Sequence, residues 1–175
     1  MANICEFDIH AVSKNEEAIK AVKDGFMYNK DEEISFGAIY DSFIYDEGFN
    51  KETGEYFIYI TGDCKWSIQS GILDYNLLQK VIEKYALDLE AYSEEPGLQF
   101  MEHYRWEGGE KVVDEETPFV LIHIDNIEDE TDEADEFFMS QMAKDACITR
   151  DNYESFADDE GYIKLGGFDY MWVIN

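Results

Sequence analysis

Residues Asp125 to Glu136 read D-N-I-E-D-E-T-D-E-A-D-E. Eight of these twelve are Asp or Glu, and the nearest basic side chains are Lys111 before them and Lys144 after them. Packing so many carboxylates together costs self-repulsion that a neutral polar segment would avoid. The stretch therefore belongs on a surface, where a positively charged partner would offset that cost. The interior has to come from the rest of the chain.

The rest has the means. Hydrophobic residues make up 45% of the 175 and aromatic ones 15%. Acidic chains that stay disordered are poor in aromatics, so this one is expected to fold. Its length suits one domain, or one domain with a substantial extension.

Taken in order, Cys5, Phe7 and Ile9 alternate with Glu6, Asp8 and His10, the period of a half-buried strand. Ser13 three residues before Glu16 is a capping-box pattern, and Ala18, Ile19, Val22 and Phe26 predict a helix from about Asn15 to Phe26. Phe36 to Tyr45 reads as a second strand. A polar turn spans Gly48 to Gly54, and Tyr56 to Ile60 is a third strand, interrupted at Gly62-Asp63 and resumed through Cys64, Trp66 and Ile68. Asp74 is placed as the N-cap of a helix whose apolar stripe is Leu77, Leu78, Val81, Ile82 and Tyr85. A strand from Leu89 to Tyr92 is broken or bulged at Glu94-Glu95-Pro96-Gly97 and resumes through Leu98, Phe100, Glu102, Tyr104 and Trp106. Gly108-Gly109 then turns the chain into a short segment, Lys111 to Val113. This order predicts an α+β fold, an antiparallel sheet with helices on one face.

The opening Met1-Ala2-Asn3-Ile4-Cys5-Glu6, the long hairpin, and Glu94-Glu95-Pro96-Gly97 followed by Phe100 and Trp106 resemble the YubB-like family of phage and plasmid proteins. That family opens with Trp where Ile4 stands and has Asn where Phe7 stands. The resemblance covers Met1 to Glu116. It implies a ferredoxin-like core over 1–116 and an origin on a mobile element, and it carries over no catalytic residue.

Residues 117–175 are read as an acidic strand-helix-hairpin extension packed on the same core. A strand runs from Phe119 to Ile124. Thr131 caps a helix that places Ala134, Phe137, Phe138, Met142 and Ala146 on one face. Its other face and first turn carry Asp132, Glu133, Asp135 and Glu136; the helix dipole favours acids in a first turn, which accounts for some of these but not for Asp125, Glu128, Asp129 and Glu130. Thr149 caps a short helix through Phe156. After Asp158-Asp159-Glu160-Gly161 the chain closes in a strand or hairpin, Tyr162 to Ile174, bent at Gly166-Gly167.

Catalytic and metal patterns are not found. His10, His103 and His123 are too scattered for a ligand motif, and His10 and His123 are read as surface or rim residues. A calcium-binding loop starting at Asp125 would need an oxygen where Ile127 sits and a glycine where Glu130 sits. No metal or cofactor is expected, and no enzymatic activity. Cys5, Cys64 and Cys147 are an odd, dispersed set, read as reduced thiols with the first two buried. The N-terminus lacks a signal-peptide pattern, and no apolar run approaches the ~20 residues that span a bilayer. A cytoplasmic protein without membrane contact is expected.

The net charge is −28, and from Asp114 to Glu160 there are 17 acidic residues against two basic. Such a surface repels nucleic acid and attracts basic proteins. Duplex DNA carries about one negative charge per 1.7 Å of axis, and its binders meet it with Lys and Arg. Carboxylates fixed on a folded body can take its place. The sequence is therefore read as a DNA-mimicking inhibitor of a host nucleic-acid-binding defence enzyme, a CRISPR effector or a restriction enzyme, with no direct binding of nucleic acid. The expected contacts are Asp125, Glu128, Asp129, Glu130, Asp132, Glu133, Asp135 and Glu136, then Asp151, Glu154, Asp158, Asp159 and Glu160. An immunity protein against a basic toxin nuclease and a non-inhibitory accessory phage protein are the alternatives.

Overall fold

The computed structural model describes residues 4–27, 35–168 and 170–174. Met1 to Asn3, part of the opening quoted for the family resemblance, lie outside the described residues. The chain is α+β, and among the described residues seven strands hydrogen-bond in the order β2-β3-β1-β4-β5-β6-β7. These are β1 Ile4–Ser13, β2 Ile39–Asn50, β3 Glu55–Lys65, β4 Asp88–Glu95, β5 Phe100–Glu107, β6 Glu110–His123 and β7 Tyr162–Gly166. The strand pairs whose register is described are antiparallel. Among the described residues no helix is long and apolar enough to cross a membrane.

Two compact units divide the chain. One comprises 1–116 and 169–175, the other 117–168. In the first, helix α1 (Glu16–Phe26) buries Ala18, Ile19, Val22 and Phe26, the i, i+1, i+4, i+8 stripe read from the sequence. These side chains join Cys5, Phe7, Ile9 and Ala11 of β1 in one core. Leu78 and Ile82 of α3 (Leu77–Tyr85) and Tyr104 and Trp106 of β5 complete it. The helices of this unit thus cover one face of the sheet. Cys5 and Cys64 are fully buried free thiols, and Cys147 is exposed. Gly25 sits within α1, where a Cβ would stand 2.3 Å from the Phe36 ring. The glycine therefore keeps room for Phe36.

Several boundaries differ from those the sequence predicts. Asn15, not Ser13, caps α1, its side chain accepting from the Glu17 amide at 3.0 Å, while the Ser13 hydroxyl accepts from the Asn15 amide. Strand β3 runs through Gly62-Asp63 without interruption, because β1 and β2 bond it from both sides. The irregularities fall on β2 instead, between Ile39 and Asp41 and between Ile44 and Asp46. Trp66 takes φ +70° and turns the chain, so Ile68 opens the short helix α2 (Ile68–Gly71) and does not extend the strand. Asp74 lies in a 3-10 turn, Leu73–Tyr75, and accepts from Gln69 at 2.7 Å; Asn76 precedes α3. Glu94-Glu95-Pro96-Gly97 is the end of β4 and the turn into β5. Past Gly108 and Gly109, both at positive φ, the two short segments expected before and after Pro118 are one 14-residue strand, β6.

The second unit encloses a core of its own, built from Ile122, Ile127, Ala134, Phe137, Ala143, Ile148 and Ile163. Here the acidic run itself begins as a helix, α4 (Ile124–Glu128), which the sequence did not suggest. His123 caps it by accepting from the Asp125 amide at 3.2 Å. Thr131 caps α5 (Asp132–Met139) as predicted. That helix stops at Ser140, whose extended backbone and side chain cap a separate α6 (Gln141–Asp145). Met142 and Ala146 therefore do not continue the face of α5. The short helix near Phe156 is a 3-10 turn, Tyr153–Phe156, preceded by Asn152 and not capped by Thr149. Strand β7 ends at Gly166, and the described residues 170–174 form no strand.

Candidate functional site

All thirteen carboxylates singled out in the sequence are exposed, and all lie in the second unit. Asp125 and Glu128 stand on α4, Asp129 and Glu130 in the turn after it, and Asp132, Glu133, Asp135 and Glu136 on the first two turns of α5. Three already have local partners. Arg150 pairs with Asp135 at 2.5 Å, His123 faces Asp125 at 3.4 Å, and Asn126 donates to Glu133 at 3.0 Å. In the second group, Asp158 accepts from the amides of Glu160 and Tyr162, so it shapes the turn before β7. Lys144 donates to the Met139 carbonyl, and Lys164 lies over the Phe119 ring.

The first unit holds a second constellation that the sequence reading missed. On the sheet face away from the helices, cross-strand register aligns Asp46, Tyr59, His10, Glu90 and Arg105 in one row. Thr61, Asp8, Tyr92 and His103 form the next. Glu90 is fully buried. One of its oxygens meets His103 Nε2 at 2.9 Å, and the other accepts from the Val173 amide at 2.7 Å and the Ile174 amide at 3.3 Å. Tyr92 donates to the Met171 carbonyl and stacks between His103 and Tyr170, with ring centroids 4.2 and 4.7 Å away. Residues 170–174 are thereby strapped across this face.

His10 is only 1% exposed, not a surface or rim residue. The strap is the reason, since Trp172 meets the His10 ring edge-on at 5.7 Å while Tyr59 stacks on it at 3.8 Å. Burial pushes its pKa down to about 4, against a smaller upward pull from Glu90 and a hydrogen bond with the Ile174 backbone. Its folded-state pKa lies below the ordinary 6.5, so the unfolded chain binds the extra proton first. Stability from this group is complete above about pH 6.5 and is lost as pH falls toward 4. The expected loss is about 2–3 kcal/mol. Many carboxylates titrate in the same range, so the measurement is the difference between wild type and His10→Phe. The variant should lose up to about 1.4 kcal/mol per pH unit of slope between those values. Equal slopes would mean that His10 is hydrated in the folded protein.

Another buried acid, Glu102, lies on the helix side of the sheet. It accepts from the amides of Ile68 (2.6 Å) and Gln69 (3.2 Å), the Ser93 hydroxyl (2.7 Å) and the Tyr104 hydroxyl (2.9 Å). The sequence held a signal for it, since Glu102 falls in the inward phase of Phe100, Tyr104 and Trp106. Nothing local marks Glu90, whose phase is the outward one. Among the described residues no group of three or more His, Cys, Asp or Glu is placed to hold a metal ion. Comparison with family models, with curated proteins and with solved structures returned no match.

Proposed function

We propose that the unit 117–168 is a binding surface for a basic protein, held where that protein would otherwise hold nucleic acid. The observation behind this reading is the distribution of charge on the unit. Every acid in it is exposed, and its cations are few and engaged, Arg150 by Asp135 and Phe138 and Lys144 by a backbone carbonyl. Helices α4 and α5 hold the carboxylates on a folded frame. An unstructured acidic tail would lose part of its affinity to ordering entropy. The favoured target class is a host defence enzyme that grips nucleic acid with Lys and Arg, a CRISPR effector or a restriction enzyme, and the protein acts by occupancy and not by catalysis. In keeping with a mobile-element origin, we read the β1-α1-β2-β3-α3-β4 order with strands paired β2-β3-β1-β4 as a ferredoxin-like core.

Affinity capture from a host lysate tests the reading. Basic nucleic-acid-binding proteins should be retained at low salt, displaced by duplex DNA, and released as added salt shortens the screening length below ~8 Å. Neutralising Glu128, Asp129 and Glu130 together, as Gln, Asn and Gln, should slow association by about tenfold or more. The fold, followed by circular dichroism, should be unchanged. Equal capture by wild type and the triple variant at both low and high salt would sink the proposal and leave the run as a solvated face.

A further inference from the structure

We infer that the hollow between β1, β2, β3 and residues 170–172 is a binding site for an organic cation, an alkylammonium or guanidinium group seated among aromatic rings and two carboxylates. The hollow encloses about 360 Å³, the size class of small-molecule sites, roughly 300–1,000 Å³. Tyr45, Tyr59, Tyr170 and Trp172 supply its aromatic walls, and Asp8 and Asp46 its charges. None of the residues lining it is basic. The Tyr59 and Trp172 rings stand at 71° with centroids 6.0 Å apart, an edge-to-face pair that forms one corner of the wall. Ring faces attract cations through their quadrupoles, and more strongly where water is displaced.

Two features of the fold assemble this corner. The irregularity of β2 between Ile44 and Asp46 leaves Tyr45 as the residue without a partner opposite it on β3, and both Tyr45 and Asp46 line the hollow. Bulges of this kind re-aim side chains. The strap then brings Tyr170 and Trp172 over β1 and β3, tied down by Glu90 and Tyr92.

The chemistry selects the ligand. Burial raises the pKa of Asp8, and the hydrogen bond from Thr61 only partly opposes it. A cation would supply a countercharge to this half-buried carboxylate. An anion would meet two carboxylates on a chain of net charge −28. A neutral apolar ligand would dry Asp8 further without pairing it. A free amine and an arginine or lysine side chain of another protein share the required group. All the residues belong to the unit formed by 1–116 and 169–175, so this site and the acidic surface of 117–168 fail independently.

The test is titration of the full chain with choline, with its neutral match 3,3-dimethylbutan-1-ol, and with a short peptide carrying a single arginine. Binding is followed by the NMR signals of Trp172 at about 150 mM salt, where nonspecific attraction is screened. Choline or the peptide should bind about tenfold or more tightly than the neutral alcohol. Tyr45 is 80% exposed and Asp46 is exposed, so Tyr45→Ala and Asp46→Asn should leave the fold intact. Each should weaken the cation about three- to tenfold, and the triple change at Glu128, Asp129 and Glu130 should have no effect. Tighter binding of the peptide identifies a protein side chain as the ligand, and tighter binding of choline a free amine. Equal binding of the neutral alcohol, undiminished binding in both pocket variants, or no binding at all would overturn the inference.

Discussion

Replacing Glu102 with alanine is expected to destabilise the first unit by about 3–5 kcal/mol, the cost of breaking a buried, fully hydrogen-bonded charge. Helix α2 is four residues long, and its amides cannot bond within it. Glu102 takes those of Ile68 and Gln69, the Ser67 side chain takes that of Ser70, and the Ser67 carbonyl takes that of Gly71. Alanine would strand two of these amides together with the buried Ser93 and Tyr104 hydroxyls. Glu102→Gln keeps the shape but turns one oxygen into a donor that faces donors, so a loss of about 2–3 kcal/mol is expected. Urea denaturation of the two variants checks the ranking. A loss below about 1 kcal/mol for alanine would show that solvent reaches these groups.

Glu90→Ala should act on the strap as well as on stability. It removes the acceptor for the Val173 and Ile174 amides and the partner of His103, with an expected cost of about 3 kcal/mol. Residues 170–174 lack strand bonds of their own, so their amides should exchange with solvent far faster in the variant, and a protease should clip them. His10 supplies an independent readout. Its lowered pKa comes mainly from burial under the strap, so lifting the strap should return it toward 6.5. An NMR titration of His10 that still gives a value near 4 in Glu90→Ala, with unchanged exchange at Val173, would mean that the strap is held by its aromatic contacts alone.

Much of the first unit was legible in the sequence because its signals are local. The period of two in Cys5-Phe7-Ile9 and the 3.6-residue spacing of Ala18, Ile19, Val22 and Phe26 each describe one element burying one face. Alternation and spacing survive whatever the elements pack against. Caps were less legible. Ser13 and Asn15 both suit an N-cap, and which one closes the helix depends on where β1 lets the chain turn. The division of the predicted C-terminal helix at Ser140 was hidden because Ser140 reads equally as a helix residue and as a cap.

The carboxylates divide along the same line. A solvent-facing acid needs no partner, so the run from Asp125 to Glu136 announced its own exposure through charge density alone. Glu90, Glu95 and Glu102 are acids of the same kind, yet they are buried. A buried carboxylate is tolerable only where donors converge on it, and two of those of Glu90 come from residues more than eighty positions away. Local patterns along the chain suffice for the α+β class, the helix faces, the buried thiols of Cys5 and Cys64, and the exposure of the acidic run. Tertiary packing alone settles that His10 is buried, that Glu90 anchors Val173 and Ile174, and that Tyr45, Tyr59, Tyr170 and Trp172 share one hollow. The first set follows from periodicity and charge along the chain. The second follows from strand register and the return of residues 170–174 across the sheet, and no local pattern encodes such distant pairings.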